Sequence, residues 1–314
     1  MQQKVAVIDC GTNTFNLLIA SRNNVNVTIH FVEEVSVRIG FKGISRNIIT
    51  EQACNRAIEA ISHFKSITEE HLVSSENIFA FATSAFRSAK NARSLQKSVL
   101  ERAGIEVQII TGDKESELIF RGVQKAIDLK ESTLVMDIGG GSVEFIIGSR
   151  EGIKWKKSFE IGAQRLVEKF HHNDPISFSE LENLKDHLDG ELHTLIKALK
   201  SFEPKILVGA SGTFETLSDI HLAWLGLKNI RKGGELNFEI ESYPKIRNQL
   251  IGKDIHERLA IPGMSAMRVD MIVVASEVIN YVMSHHQFDQ FKVSNYALKE
   301  GALFQLLDRI EKSN

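Results

Sequence analysis

Two cysteines, four prolines and no excess of charge of either sign set the first limits on this chain. Cys10 and Cys54 have no metal-type spacing, so neither a disulfide framework nor a structural zinc site is expected. With so few prolines and no low-complexity tract, a long disordered linker is excluded. The formal net charge is -2, so no global field draws in nucleic acid or an anionic membrane, and a polyanion would have to be held by a local cluster. No apolar run approaches the roughly 20 residues that cross a bilayer. Met1-Gln2-Gln3-Lys4 leads straight into a strand-type run without a signal-peptide pattern. A cytoplasmic protein with no nucleic-acid or membrane partner is expected. Also missing are a Gly-x-x-x-x-Gly-Lys-Ser/Thr loop and a Gly-x-Gly-x-x-Gly fingerprint.

What is present is an ordinary globular balance, 43% hydrophobic and 25% charged, in a chain of 314 residues, long enough for two domains with separate cores. The apolar run Val5 to Ile8 ends in Asp9-Cys10-Gly11-Thr12-Asn13-Thr14, and a second run, Phe15 to Ala20, follows at once. The same strand, tight polar turn and strand recur in Leu134 to Met136, Asp137-Ile138-Gly139-Gly140-Gly141-Ser142, and Val143 to Gly148. The copies align at an offset of 128 positions (137 − 9) and share Asp, Gly and both apolar flanks. Each continues with a strand-like stretch, Val25 to Val37 or Ile153 to Glu160, and then a helix. The first of these helices starts with Thr50 as N-cap, and the second spans Ala163 to Phe170. Solenoids repeat every roughly 20–50 residues, so this long period predicts a duplicated domain. Strand-like Ile78 to Ala82 and Val107 to Ile110 alternate with helix-like Asn91 to Ala103 and Lys114 to Ile127, which predicts an α/β fold. The polar stretch Asp128 to Ser132 marks the expected domain boundary.

A strand that ends in Asp-x-Gly and turns sharply brings main-chain N–H groups and small side chains to one point. Glycine lets phosphate oxygens approach there with no Cβ in the way. Thr12 and Ser142 add hydroxyl donors, and Asp9 and Asp137 are placed to hold Mg2+ directly or through water. Taken singly, an Asp-Gly pair also makes an ordinary hairpin turn; its repetition with both flanks intact points to function. A third cluster, Gly209-Ala210-Ser211-Gly212-Thr213, lies between the strand-like Lys205 to Val208 and helix-like residues from Phe214, a form that cradles anions. Just past a strand end, Arg87 offers a planar fork for phosphate, whereas Lys90 and Arg93 read as solvated basic residues. Gly112-Asp113-Lys114-Glu115 opens a helix with Asp113 as the expected N-cap. Glu115, in the first turn, either stabilises that helix or activates a water for attack on phosphorus. The pairs His171-His172 and His285-His286 read as surface or packing residues, and Cys10 as a small filler.

In this order, Ile8-Asp9-Cys10-Gly11-Thr12-Asn13-Thr14-Phe15, Ala82-Thr83-Ser84-Ala85-Phe86-Arg87, Gly112-Asp113-Lys114-Glu115, Asp137-Ile138-Gly139-Gly140-Gly141-Ser142-Val143-Glu144, Gly209-Ala210-Ser211-Gly212-Thr213, Arg268-Val269-Asp270 and Leu298-Lys299-Glu300-Gly301 carry a family resemblance. The chain resembles, over nearly its whole length, the exopolyphosphatase / guanosine pentaphosphate phosphatase family, within the superfamily of actin, Hsp70 chaperones and sugar kinases. The resemblance implies two ribonuclease-H-like domains of the actin-like ATPase fold flanking a cleft. They would be residues 1–128 with a returning C-terminal helix in 298–314, and residues 129–297. It implies Glu115 as the catalytic glutamate, assisted by Arg87. Gly11, Thr12, Asn13, Gly139, Gly140, Gly141, Ser142, Gly209, Ser211, Gly212 and Thr213 would bind phosphate. Asp9, Asp137 and Glu144 would hold Mg2+ or another divalent ion. The implied activity is hydrolysis of the terminal phosphoanhydride of inorganic polyphosphate, releasing orthophosphate, with pppGpp as the alternative substrate. A superfamily kinase using ATP, or a non-enzymatic actin-like nucleotide binder, is a more distant reading. Family members often form homodimers. Where the family commonly has a glutamate before the catalytic one, this chain has Lys114, which weighs against a two-carboxylate mechanism at that spot. Whether Lys90, Arg93 and Arg268 line the substrate path is left open.

Overall fold

A computed structural model of the chain describes residues 3–23, 26–227, 234–236 and 238–313. The first half comprises β1 (Lys4–Cys10), β2 (Thr14–Asn23), β3 (Asn26–Ser36), α1 (Glu51–Glu70), β4 (Ile78–Ala82), α2 (Ser84–Ser88), α3 (Ala92–Ala103), β5 (Val107–Ile109) and α4 (Gly112–Ala126). The second half begins with β6 (Thr133–Ile138), β7 (Val143–Ser149), β8 (Gly152–Phe159), α5 (Ala163–Phe170), α6 (Phe178–Glu191), α7 (His193–Phe202), β9 (Ile206–Ala210) and α8 (Gly212–Trp224). It ends with β10 (Glu235–Leu236), α9 (Tyr243–Ile251), α10 (Ile255–Leu259), α11 (Ile272–His285), β11 (Gln290–Ser294) and α12 (Leu298–Ser313). The strand expected at Ile78 to Ala82 and the helix expected at Ala163 to Phe170 have those bounds. Met1, Gln2 and Val25, which the sequence reading also used, lie outside the described residues.

The two halves repeat one topology. One sheet has the order β3-β2-β1-β4-β5, and the other has β8-β7-β6-β9-β11 with β10 added at the β11 edge. In each, the first three strands form an antiparallel meander, and the fourth and fifth run parallel to the first. This is the mixed α/β, two-sheet arrangement that the duplicated motif predicts. Each sheet has its own core. Ile8, Phe15, Leu17, Ile61, Phe64, Phe86 and Val99 belong to the first, and Met136, Phe145, Ile147, Leu207, Phe214 and Val278 to the second. Each large apolar side chain buried this way contributes on the order of 1.5–3 kcal/mol.

Contacts divide the chain into Met1–Gly122 with Leu298–Asn314, and Val123–Ala297. The division falls inside α4, earlier than the polar stretch 128–132, because the last turn of α4 is tied to the second unit. Gln124 Nε2 donates to the Ser149 carbonyl at 3.1 Å, and Gly234 lies against Ala126. The closing helix α12 lies on β1 and β2. There Asp308 accepts from Arg22 at 2.6 Å and also from Arg121. Although burial opposes it, these guanidinium groups hold the Asp308 carboxyl below its ordinary range.

Sequence signals explain individual helix starts. Thr50 caps α1 by accepting from the Ala53 N–H at 3.3 Å, as expected. Ser177 and Glu180 form a reciprocal capping box at the start of α6. Against the cost of burial, main-chain and hydroxyl donors of Ser177 and the N–H groups of His172 and Asn173 hold the Glu180 carboxyl down at about 2. His171 is indeed a packing residue, with its ring nitrogen 3.6 Å from Asp174. No helix among the described residues is long and apolar enough to cross a membrane.

Candidate active site

Two hairpin turns of one design close the β1–β2 and β6–β7 pairs. Cys10 pairs with Phe15 in the first, and Ile138 with Val143 in the second. In the first turn the Gly11 N–H donates to the Thr14 carbonyl at 3.1 Å; in the second, Gly139 donates to Ser142 at 3.0 Å. A Cβ on Gly11 would stand 2.9 Å from the Thr14 oxygen, and one on Gly139 would stand 3.2 Å from the Ser142 oxygen. The turn itself thus crowds any side chain at the shared position, more severely at Gly11 than at Gly139.

The outward chemistry of each turn follows from what holds its carbonyls. In the second turn the carbonyls of Gly139, Gly140 and Gly141 accept from the main-chain N–H groups of Ala163, Gln164 and Gly162, at 2.9, 2.9 and 3.2 Å. These donors are the first N–H groups of α5, which an α-helix cannot satisfy internally. The peptides concerned are trans, so their N–H ends, belonging to Gly140, Gly141 and Ser142, point away from α5. In the first turn Asn13 O accepts from Val37 and Arg38 at 2.9 and 2.7 Å, and Thr12 O accepts from Gly40 at 3.0 Å. Acceptors in both turns are turned inward onto the following segment, leaving N–H groups and hydroxyls as the means of binding a ligand. That is the polarity an anion site needs.

Each turn sits at the carboxyl end of a strand whose parallel neighbour ends beside it. In the first unit that neighbour is β4, and the Thr83 N–H donates to the Cys10 carbonyl at 3.4 Å. Beyond β4, Arg87 lies in α2 and donates from Nη1 to the Ile110 carbonyl at 3.2 Å and to Glu115 Oε2 at 2.8 Å. Glu115 is only 6% exposed and lies in the first turn of α4. The cap of that helix is Thr111 rather than Asp113, because Thr111 Oγ1 accepts from the Lys114 N–H at 3.2 Å. The Lys114 ammonium donates to Gln305 of α12 at 2.8 Å. Arg87 and Glu115 are thus brought together, and Arg87 fixes the orientation of the carboxylate. Lys90 and Arg93 are exposed.

In the second unit the neighbour is β9, followed by Ser211-Gly212-Thr213 at the start of α8. Ser211 has a φ of 75° and its hydroxyl donates to the Ile138 carbonyl at 3.3 Å, joining this loop to the glycine turn. The guanidinium of Arg268 packs directly over Gly212. Gly209 has a different use: it is buried within β9, and any Cβ there would collide with the Phe214 ring. Its missing side chain serves packing rather than a ligand.

Asp137 and Glu144 face each other across β6 and β7, both buried, and Ser158 donates to Glu144 Oε1 at 2.6 Å. Two carboxylates directly opposite on neighbouring strands repel, and a divalent cation would relieve that repulsion. Asp9, at the matching place in the first unit, faces Asn16 instead. Among the described residues no three His, Cys, Asp or Glu side chains form a group able to hold a metal. What the pair Asp137 and Glu144 offers is two carboxylate groups, the oxygen donors that an ion of the Mg2+ kind takes along with waters.

The sequence pattern of the Ppx/GppA phosphatase family matches residues 18–310. The chain belongs to that family. A crystal structure of an exopolyphosphatase from Cytophaga hutchinsonii is 40% identical, with a TM-score of 0.94 and 98% of each chain covered. The bifunctional 3-dehydroquinate synthase/phosphatase of Fusobacterium nucleatum is 29% identical over 96% of this chain and 46% of its own length. Exopolyphosphatase 1 of Mycobacterium tuberculosis is 26% identical over 97% of this chain and 88% of its own. The guanosine-5'-triphosphate,3'-diphosphate pyrophosphatase of Vibrio vulnificus is 24% identical over 98% of this chain and 60% of its own. This chain thus spans about half of the Fusobacterium protein.

Within this Ppx/GppA member, sequence reasoning passed over Arg165. It donates from Nε to the Gly141 carbonyl at 2.9 Å and from Nη2 to Glu160 at 2.7 Å. Its only signal was a basic residue in the first turn of a helix, where acidic residues are favoured.

Proposed function

We propose that this chain hydrolyses the terminal phosphoanhydride of inorganic polyphosphate and releases orthophosphate. The observation that carries the reading is the buried Glu115 carboxylate held at 2.8 Å by Arg87, which follows β4, the parallel neighbour of the strand that ends in the Gly11 turn. In this reading Glu115 takes a proton from water as the water oxygen forms a bond to the terminal phosphorus. The anhydride P–O bond breaks, and its electron pair leaves on the oxygen of the shortened chain. Arg87 and the N–H groups and hydroxyls of Gly11, Thr12, Asn13, Gly139, Gly140, Gly141 and Ser142 neutralise phosphate oxygens. Ser211, Gly212 and Thr213 add donors at the start of α8. Charge stabilisation and positioning supply most of the acceleration in such reactions. Asp137 and Glu144 would hold Mg2+, and the bound ion would supply further neutralisation of phosphate charge.

Polyphosphate is preferred because the relative at 40% identity is named an exopolyphosphatase. The second reading, release of the 5'-terminal phosphate of pppGpp, is favoured by the Vibrio relative at 24% identity. Both substrates end in a phosphate on an anhydride, so the proposed chemistry is common to them. The test is orthophosphate release from long polyphosphate, short polyphosphate, pppGpp and ATP, each with and without Mg2+. Fastest turnover of polyphosphate, dependent on Mg2+, is expected. Preferential turnover of pppGpp would replace the first reading with the second, and turnover of none would sink both.

A further inference from the structure

We propose that Arg165 is a positioning residue that electrostatically strengthens the glycine turn 139–142 as an anion binder. The inference rests on the reading of that turn as a phosphate cradle. The Gly141 carbonyl accepts two hydrogen bonds, one from the Gly162 N–H at 3.2 Å and one from Arg165 Nε at 2.9 Å. The second is charge-assisted, a class roughly twice as strong as a neutral bond. A donor on the oxygen of a peptide makes the N–H of the same peptide a better donor, because hydrogen bonds in a chain polarise one another. That N–H belongs to Ser142 and points to the opposite side, where a phosphate oxygen would sit.

The shape of the turn does not need this arginine. Neutral N–H groups of Gly162, Ala163 and Gln164 already hold the carbonyls of Gly141, Gly139 and Gly140. Moreover, Arg165 stands in the first turn of α5, which carries no acidic residue. A cation there is repelled by the positive end of the helix dipole. An anion in front of the turn reverses the sign, since helix, polarised peptides and guanidinium then all act on it attractively. Glu160, paired with Arg165 at 2.7 Å, is 48% exposed and only partly offsets that charge through solvent. In the first unit the matching carbonyl, of Asn13, accepts from the main-chain N–H groups of Val37 and Arg38.

The test is calorimetric binding of inorganic tripolyphosphate to the full chain in EDTA, at low and high salt, with thermal unfolding to check the fold. Arg165→Gln keeps a donor for Gly141 but removes the charge. It is expected to bind about tenfold more weakly at low salt, with the loss shrinking at high salt. Arg165→Lys keeps the charge and is expected to lose less at low salt than Arg165→Gln. Equal affinity of the parent and Arg165→Gln would overturn the proposal, as would equal losses in both variants, which would assign a purely structural role. If Arg165→Gln does not fold, Glu160→Gln decides: removing that one negative charge beside Arg165 should tighten binding by about threefold, and unchanged or weaker binding overturns the proposal. Failure of the parent protein itself to bind tripolyphosphate would remove the phosphate-cradle reading, and this inference with it.

Discussion

The turns at Gly11 and Gly139 share a backbone and differ in what surrounds it. Both close on a glycine N–H that donates to the carbonyl three residues on, and both face their acceptors inward. In the first, the turn carbonyls are held by the irregular segment Val37 to Gly40, and Asp9 faces Asn16. In the second, they are held by the start of α5 and by Arg165, and Asp137 faces Glu144. The neighbouring strand ends differ as well: Arg87 and Glu115 belong to the first unit, and Ser211 to Thr213 to the second. Duplication supplied one hairpin-turn scaffold twice. Divergence then put the Arg87–Glu115 pair in one copy and the facing carboxylates Asp137 and Glu144 in the other.

If that division of labour is right, substitutions at matching strand ends should have unequal effects. Arg87→Met should lower kcat for orthophosphate release by about 10²–10³-fold, the usual loss on removing a preorganised donor to a reacting group. Ser211→Ala, past the matching strand of the second unit, should cost less than about tenfold in the same assay, because it removes one neutral donor. Comparable losses would break the comparison.

The supports of the turns should also respond differently. A Cβ at Gly162 would run into the main chain of Gly140 and Gly141, which cannot move without opening the turn. Gly162→Ala is expected to cost on the order of 1–3 kcal/mol by denaturant unfolding and to raise KM. At Gly40 the added Cβ would meet the Thr12 Cγ2 methyl at 2.5 Å. A side-chain methyl yields more easily than a backbone, so Gly40→Ala should lose less.

The smallest expected effect concerns acid stability of the second unit. The Glu180 carboxyl is held at about 2 against an ordinary value of 4.5. The folded form is thus the weaker proton binder, and its stabilising effect is complete above about 4.5 and lost as pH falls toward 2. Glu180→Gln should lower the unfolding midpoint at neutral pH and flatten its fall across that window.

Much of the scaffold was legible in the residues. An offset of 128 between Asp9 and Asp137 predicted two sheets of one order, and the bounds of β4 and α5 were readable from their apolar pattern. Glu144 could also have been placed opposite Asp137 by counting outward from the hairpin turn, since register follows from turn length. Other features had no local signal. The residues of α11 are buried on nearly every side, so the one-sided stripe that marks a surface helix is missing. β10 has two residues, too few for an alternation to show. Gly209 looked like part of an anion loop because its glycine spacing matched one, whereas the demand comes from the Phe214 ring, a tertiary contact. Arg165 broke the helix-charge rule, and only the structure shows the carbonyl it serves.

The most direct measurement is kcat for polyphosphate by Glu115→Gln beside the parent protein, with matched thermal unfolding. The account predicts a fall of roughly 10²–10⁴-fold with little change in KM, as expected for loss of a general base. A variant that folds normally and releases orthophosphate at the parental rate would contradict it.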